Sequence, residues 1–78
     1  SITINNYGST DFPSSWSIGL NKSGSTFLEA NGSSFSDNQI ITTPIGPLME
    51  AASYYSGKRN GVNFTGLGFF ETHRTRPQ

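Results

Sequence analysis

The sequence predicts a mainly β fold, a small antiparallel sandwich or barrel of about five to six short strands with one short helix near residues 47–56. Three observations predict it. Short stretches alternate apolar and polar residues, most clearly Trp16-Ser17-Ile18-Gly19-Leu20. Glycine- and asparagine-bearing turn signals separate those stretches. Only after Pro47 do apolar residues recur at spacings of three and four.

Along the chain, Ile2-Thr3-Ile4 alternates and reads as a strand within residues 1–7. Asn5 to Ser9 signals a turn, and Phe12-Pro13 holds the chain extended, because the residue before proline avoids the helical region. Trp16, Ile18 and Leu20 share one face of the next strand. Asn21-Lys22-Ser23-Gly24 makes a hairpin turn, with Gly24 free to take positive φ. A return strand covers about Ser25 to Ala30, Asn31-Gly32 reads as a second turn, and a further strand falls near Gln39–Thr43 after a turn at Asp37-Asn38. Pro47 suits the first position of a helix whose apolar face is Leu48, Met49, Ala51, Ala52 and Tyr55. Gly57, Lys58 and Arg59 are a fitting stop. Asn60-Gly61 turns the chain into Val62–Thr65, and Gly66 and Gly68 interrupt before Phe69–Thr72. Residues 1–72 form a single small β domain in this reading, and residues 73–78 a polar, basic C-terminal arm.

The chain has 78 residues and no cysteine, so disulfides and thiolate zinc sites are excluded. A domain this small buries only about 60% of its unfolded surface. One histidine and five carboxylates make a poor structural metal site, which leaves association as the remaining support for a thin core. Charged residues are 13% of the chain, well under the usual share, while Ser, Thr, Asn and Gly account for 36 residues. That neutral, hydroxyl- and amide-rich surface suits a secreted, extracellular or virion protein, and net charge near zero favours self-contact. The start at Ser1 rather than Met fits a processed precursor, and equally a fragment. No apolar run is long enough to span a membrane as a helix. Residues 1–50 sum to −3 and residues 51–78 to +3, a split suited to head-to-tail contact if the two parts lie apart.

Candidate chemistry is sparse. Twelve serines, one histidine and scattered acids carry no triad information, and His73 falls in the expected arm. No catalytic residue, cofactor or metal ligand is assigned. The run Gly66-Leu67-Gly68 lacks the following helix and the lysine of a phosphate loop. Gly66-Leu67-Gly68-Phe69 resembles the carboxylate-binding loop of PDZ domains over four residues, but that loop opens a longer domain and only ten residues follow Gly68. Asp37-Asn38-Gln39-Ile40-Ile41-Thr42 partly resembles the βγ-crystallin calcium motif, with Ile41 where a hydroxyl ligand belongs. Asn21, Asn31 and Asn63 open glycosylation sequons, a number close to chance for this composition. The basic groups Lys58, Arg59, His73, Arg74 and Arg76 are too few to argue for nucleic acid.

The expected function is a non-enzymatic structural subunit of an extracellular or viral assembly, acting through self-association as a homo-oligomer or within a larger assembly. Candidate subunit contacts are Ile2, Ile4, Phe69, Phe70, Arg74 and Arg76 at the two ends. The alternative is a small carbohydrate-binding, lectin-like domain taking a glycan on Trp16, Tyr54 and Tyr55, whose ring faces would cover sugar C–H groups. Against that, Trp16 equally belongs to the core stripe with Ile18 and Leu20.

Overall fold

The computed structural model describes residues 1–35 and 39–77. Six strands run in chain order: β1 (Ile2–Tyr7), β2 (Pro13–Lys22), β3 (Ser25–Ser34), β4 (Ile40–Thr43), β5 (Gly46–Arg59) and β6 (Val62–Thr72). All pairings are antiparallel within one sheet. β1, β2, β3 and β5 lie side by side, β6 covers the far edge of β5, and β3 and β4 share its near edge end to end. Between them, Phe35 N donates to Ala52 O, Glu50 N donates to Gln39 O, and Ala52 N donates to the Gln39 side-chain oxygen. The gap therefore leaves the β5 backbone bonded, as a central strand requires.

The expected helix over 47–56 is absent, and no helix occurs among the described residues. The same residues read at period two: Met49, Ala51 and Ser53 are buried, while Glu50 and Tyr54 are exposed. A ten-residue helix is marginal by itself. As a strand this segment has partners on both sides. Pro47 sits near the strand start, where a missing N–H is tolerated. Asn31-Gly32 is likewise mid-strand rather than a turn, because β3 continues to Ser34. Gly66 and Gly68 do not interrupt β6, whose register with β5 is unbroken from Val62 to Thr72. The Asp37-Asn38 turn lies outside the described residues.

The sheet is curled rather than closed or sandwiched. Trp16 on β2 and Phe70 on β6 are three strand spacings apart, about 14 Å in a flat sheet. Their rings nonetheless stack at 4.0 Å between centroids with a 24° interplanar angle. Phe12, from the β1–β2 turn, packs with Met49, Ala51, Ile40 and Phe70 at the same end of the concave face. Gly32 lies directly opposite Trp16 in register, and a Cβ there would sit 2.3 Å from the indole Nε1. The indole therefore lies over bare backbone, and its N–H donates to Tyr55 Oη at 3.3 Å.

The C-terminal segment is bonded to the β1–β2 turn and to β5. Arg76 N donates to Asp11 O at 2.6 Å, the Arg76 guanidinium pairs with the Asp11 carboxylate at 3.6 Å, and it lies 5.3 Å over the Tyr7 ring. His73 Nδ1 donates to Pro47 O at 3.0 Å.

Candidate functional site

A curled, unclosed sheet has free edges, and backbone geometry sets what each can offer. At β1, Ser1 and Gly19 exchange both backbone bonds, at 2.6 and 2.9 Å. Antiparallel pairs alternate between bonded and non-bonded, so Thr3 also faces Ser17 as a bonded pair and Ile2 and Ile4 point their backbone groups outward. That edge is short and is broken by register shifts between Ile4 and Asn6 and between Asn6 and Tyr7. Bulges of this kind blunt an edge.

The β6 edge is different. Asn60 and Gly61 have φ of 50° and 80°, a two-residue type I′ turn that makes Arg59 and Val62 a bonded pair. Even-numbered β6 residues therefore bond to β5. Asn63, Thr65, Leu67, Phe69 and Glu71 direct their N–H and C=O groups away from the sheet. This edge runs eleven residues without a register shift or a proline, and its one charged side chain is Glu71 near the end, so it carries few of the usual defences against pairing with another strand.

The side chains of those odd residues lie on the convex face. Leu67 is 74% and Phe69 75% exposed. Register sets Phe69 beside Ala52 and Leu67 beside Tyr54. Phe35 and Ile41, also largely exposed, extend the apolar area onto the neighbouring β3–β4 strip. Across the hairpin half the same face turns polar. A shallow groove of about 400 Å³ is lined there by Glu29, Asn31, Ser56, Lys58, Asn63 and Thr65. Further across, Asn5 Nδ2 donates to Ser17 Oγ at 2.8 Å, and Ser17 Oγ donates to Asn31 Oδ1 at 2.9 Å.

The residues expected at subunit contacts divide sharply. Ile2 (59% exposed) and Phe69 remain available. Phe70 is committed to Trp16 and Arg76 to Asp11 and Tyr7. Ile2, Ile4 and Arg74 come together in a cleft of about 320 Å³ between β1 and the C-terminal segment, with Tyr7 and Pro13 as further walls. The residues expected to form a sugar platform do not share a surface. Trp16 is fully buried, Tyr55 faces the concave side with its hydroxyl donating to Phe69 O at 3.4 Å, and Tyr54 lies on the convex face. The sequon asparagines Asn21, Asn31 and Asn63 are all exposed on strands. Among the described residues, no group of three His, Cys, Asp or Glu side chains could hold a metal ion. No helix there is long and apolar enough to cross a membrane.

Leu67 is not among the residues expected at an interaction surface, and Tyr54 is expected there only as a sugar contact. The signal for Leu67 was present as the alternation Phe64-Thr65-Gly66-Leu67-Gly68-Phe69-Phe70, hidden by reading the glycines as breaks. Comparison with family models, curated proteins and solved structures finds no match for this chain.

Proposed function

We propose that the protein is a non-enzymatic structural subunit that acts by self-association through its open sheet. The observation that carries this reading is surface. A compact monomer of 8.4 kDa has about 4,600 Å² of accessible area, whereas this chain exposes 5363 Å². The excess, of the order of 750 Å², is close to the roughly 800 Å² that each partner contributes to a standard interface. The radius of gyration, 13.6 Å against about 11.5 Å for this length, points the same way. The neutral, hydroxyl-rich composition supports an extracellular or virion setting for the assembly.

Sedimentation equilibrium over a hundredfold range of concentration tests the proposal. A dimer or larger species is expected, with a melting temperature that rises with protein concentration. A monomer throughout, melting cooperatively at a concentration-independent temperature, overturns it.

The polar convex groove favours a second reading, carbohydrate binding. Ser56 lines that groove, and the half-exposed Tyr54 ring lies two residues away on the same face of β5. Sugar ligands need this combination of a ring face and short hydroxyl and amide groups. Titration with neutral oligosaccharides is expected to show binding that Tyr54→Ala abolishes, and absence of binding removes the reading.

A further inference from the structure

We infer that β6 pairs antiparallel with β6 of a second copy of this chain, about a two-fold axis at Leu67. The inference rests on the self-association reading and specifies which edge performs it.

Leu67 is the midpoint of β6, so an axis there gives the longest possible overlap. It sets Leu67 against Leu67 of the partner, Thr65 against Phe69, and Asn63 against Glu71. These are the residues whose backbone groups point away from β5, and each facing pair exchanges two bonds, about ten in all, with Phe69 O sharing its two lone pairs between Tyr55 Oη and the partner. Moving the axis by one residue keeps odd residues facing odd ones but leaves four bonded pairs instead of five and sets Leu67 against Phe69 or Thr65. Moving it by two puts Leu67 against Glu71 or Asn63 and shortens the ladder.

Side chains agree with the backbone. On the convex face, Leu67 and Phe69, the two most exposed large hydrophobic residues on the strands, meet each other's counterparts across the axis. On the concave face, Phe70 faces the partner's Phe64 in a non-bonded pair, where side chains approach most closely. Charge does not oppose this pairing. Within one chain Glu50 lies directly opposite Glu71, a repulsive pairing. Across the proposed axis Glu71 faces the partner's Asn63, whose neighbour on β5 is Lys58. Glu71 thus gains no second like-charge neighbour across the axis, and Lys58 itself lies opposite Glu29 in register.

The absence of cysteine makes a clean test available. Paired positions 67 would have Cα atoms about 5.5 Å apart, within disulfide range. Leu67→Cys, at an exposed site, is compared under mild oxidation with Thr3→Cys on the β1 edge. The Leu67→Cys chain is expected to form covalent dimer at least tenfold faster than Thr3→Cys. In a second variant, Leu67→Pro, the lost N–H is one that β5 does not use. It is expected to sediment as a monomer with unchanged strand content by circular dichroism. If the unmodified chain self-associates but Leu67→Cys crosslinks no faster than Thr3→Cys, or Leu67→Pro still associates, the edge assignment falls and the broader reading stands. If the unmodified chain is a monomer at every concentration and Leu67→Cys does not crosslink, both fall.

Discussion

Glycine position decides how the concave face is packed. A Cβ at Gly32 would lie 2.3 Å from the Trp16 indole and 2.7 Å from the Tyr55 ring. Trp16 is fully buried and bonded, so it has little room to yield. Gly66, in the same cross-strand row, has nothing within 4 Å of the corresponding point. Gly32→Ala is therefore expected to lower stability by about 3 kcal/mol in urea denaturation, with a shift in tryptophan emission. Gly66→Ala should change it by no more than about 1 kcal/mol, in the stabilising direction. Equal effects of the two would show that the Trp16 site is not tightly packed. Gly57 is tighter still: the added carbon would meet the Glu29 carbonyl oxygen itself, which only a backbone movement could relieve.

At the level of elements, the hairpins carry most of the regularity. Both the β2–β3 and β5–β6 connections are two-residue turns with positive φ at each central position. Asn60-Gly61 is the preferred pair for that geometry, whereas Ser23-Gly24 places serine at φ 53°. Ser23→Asn is expected to raise stability by about 0.5 kcal/mol, measured by thermal melts, because asparagine tolerates this region better. Gly24→Ala, at φ 80°, should lower it by about 1 kcal/mol. These turns were legible in the sequence because their requirement is local. The β5 strand was not. Leu48, Met49, Ala51, Ala52 and Tyr55 satisfy helical spacing as well as Met49, Ala51, Ser53 and Tyr55 satisfy alternation. Which spacing prevails depends on β3, β4 and β6 being present as neighbours.

Across the whole molecule, the C-terminal segment ties β6 back to the β1–β2 turn. The Asp11–Arg76 pair is more than half exposed on both sides, so its direct contribution is small. Asp11→Asn is expected to cost under about 1 kcal/mol and to lose even that in high salt. Truncation after His73 should lower the melting temperature further, since it also removes the Arg76–Asp11 backbone bond and the cover over Tyr7. If truncation and Asp11→Asn have equal effects, the segment acts through charge alone. The charge split between residues 1–50 and 51–78 does not survive as a simple dipole. β5 and β6 lie against β3, and Arg76 reaches Asp11, so opposite signs are interleaved.

The sequence by itself determined the mainly β character of this protein, because alternation and turn chemistry each act over a few residues. Only the tertiary structure decided that residues 47–56 are a strand, that Asn31-Gly32 lies beneath a tryptophan, and that the sheet curls without closing. Those outcomes depend on partners far along the chain, whose packing and hydrogen bonding override local preference. The unguarded β6 edge belongs to the same category, since a strand becomes an edge only through where its neighbours stop.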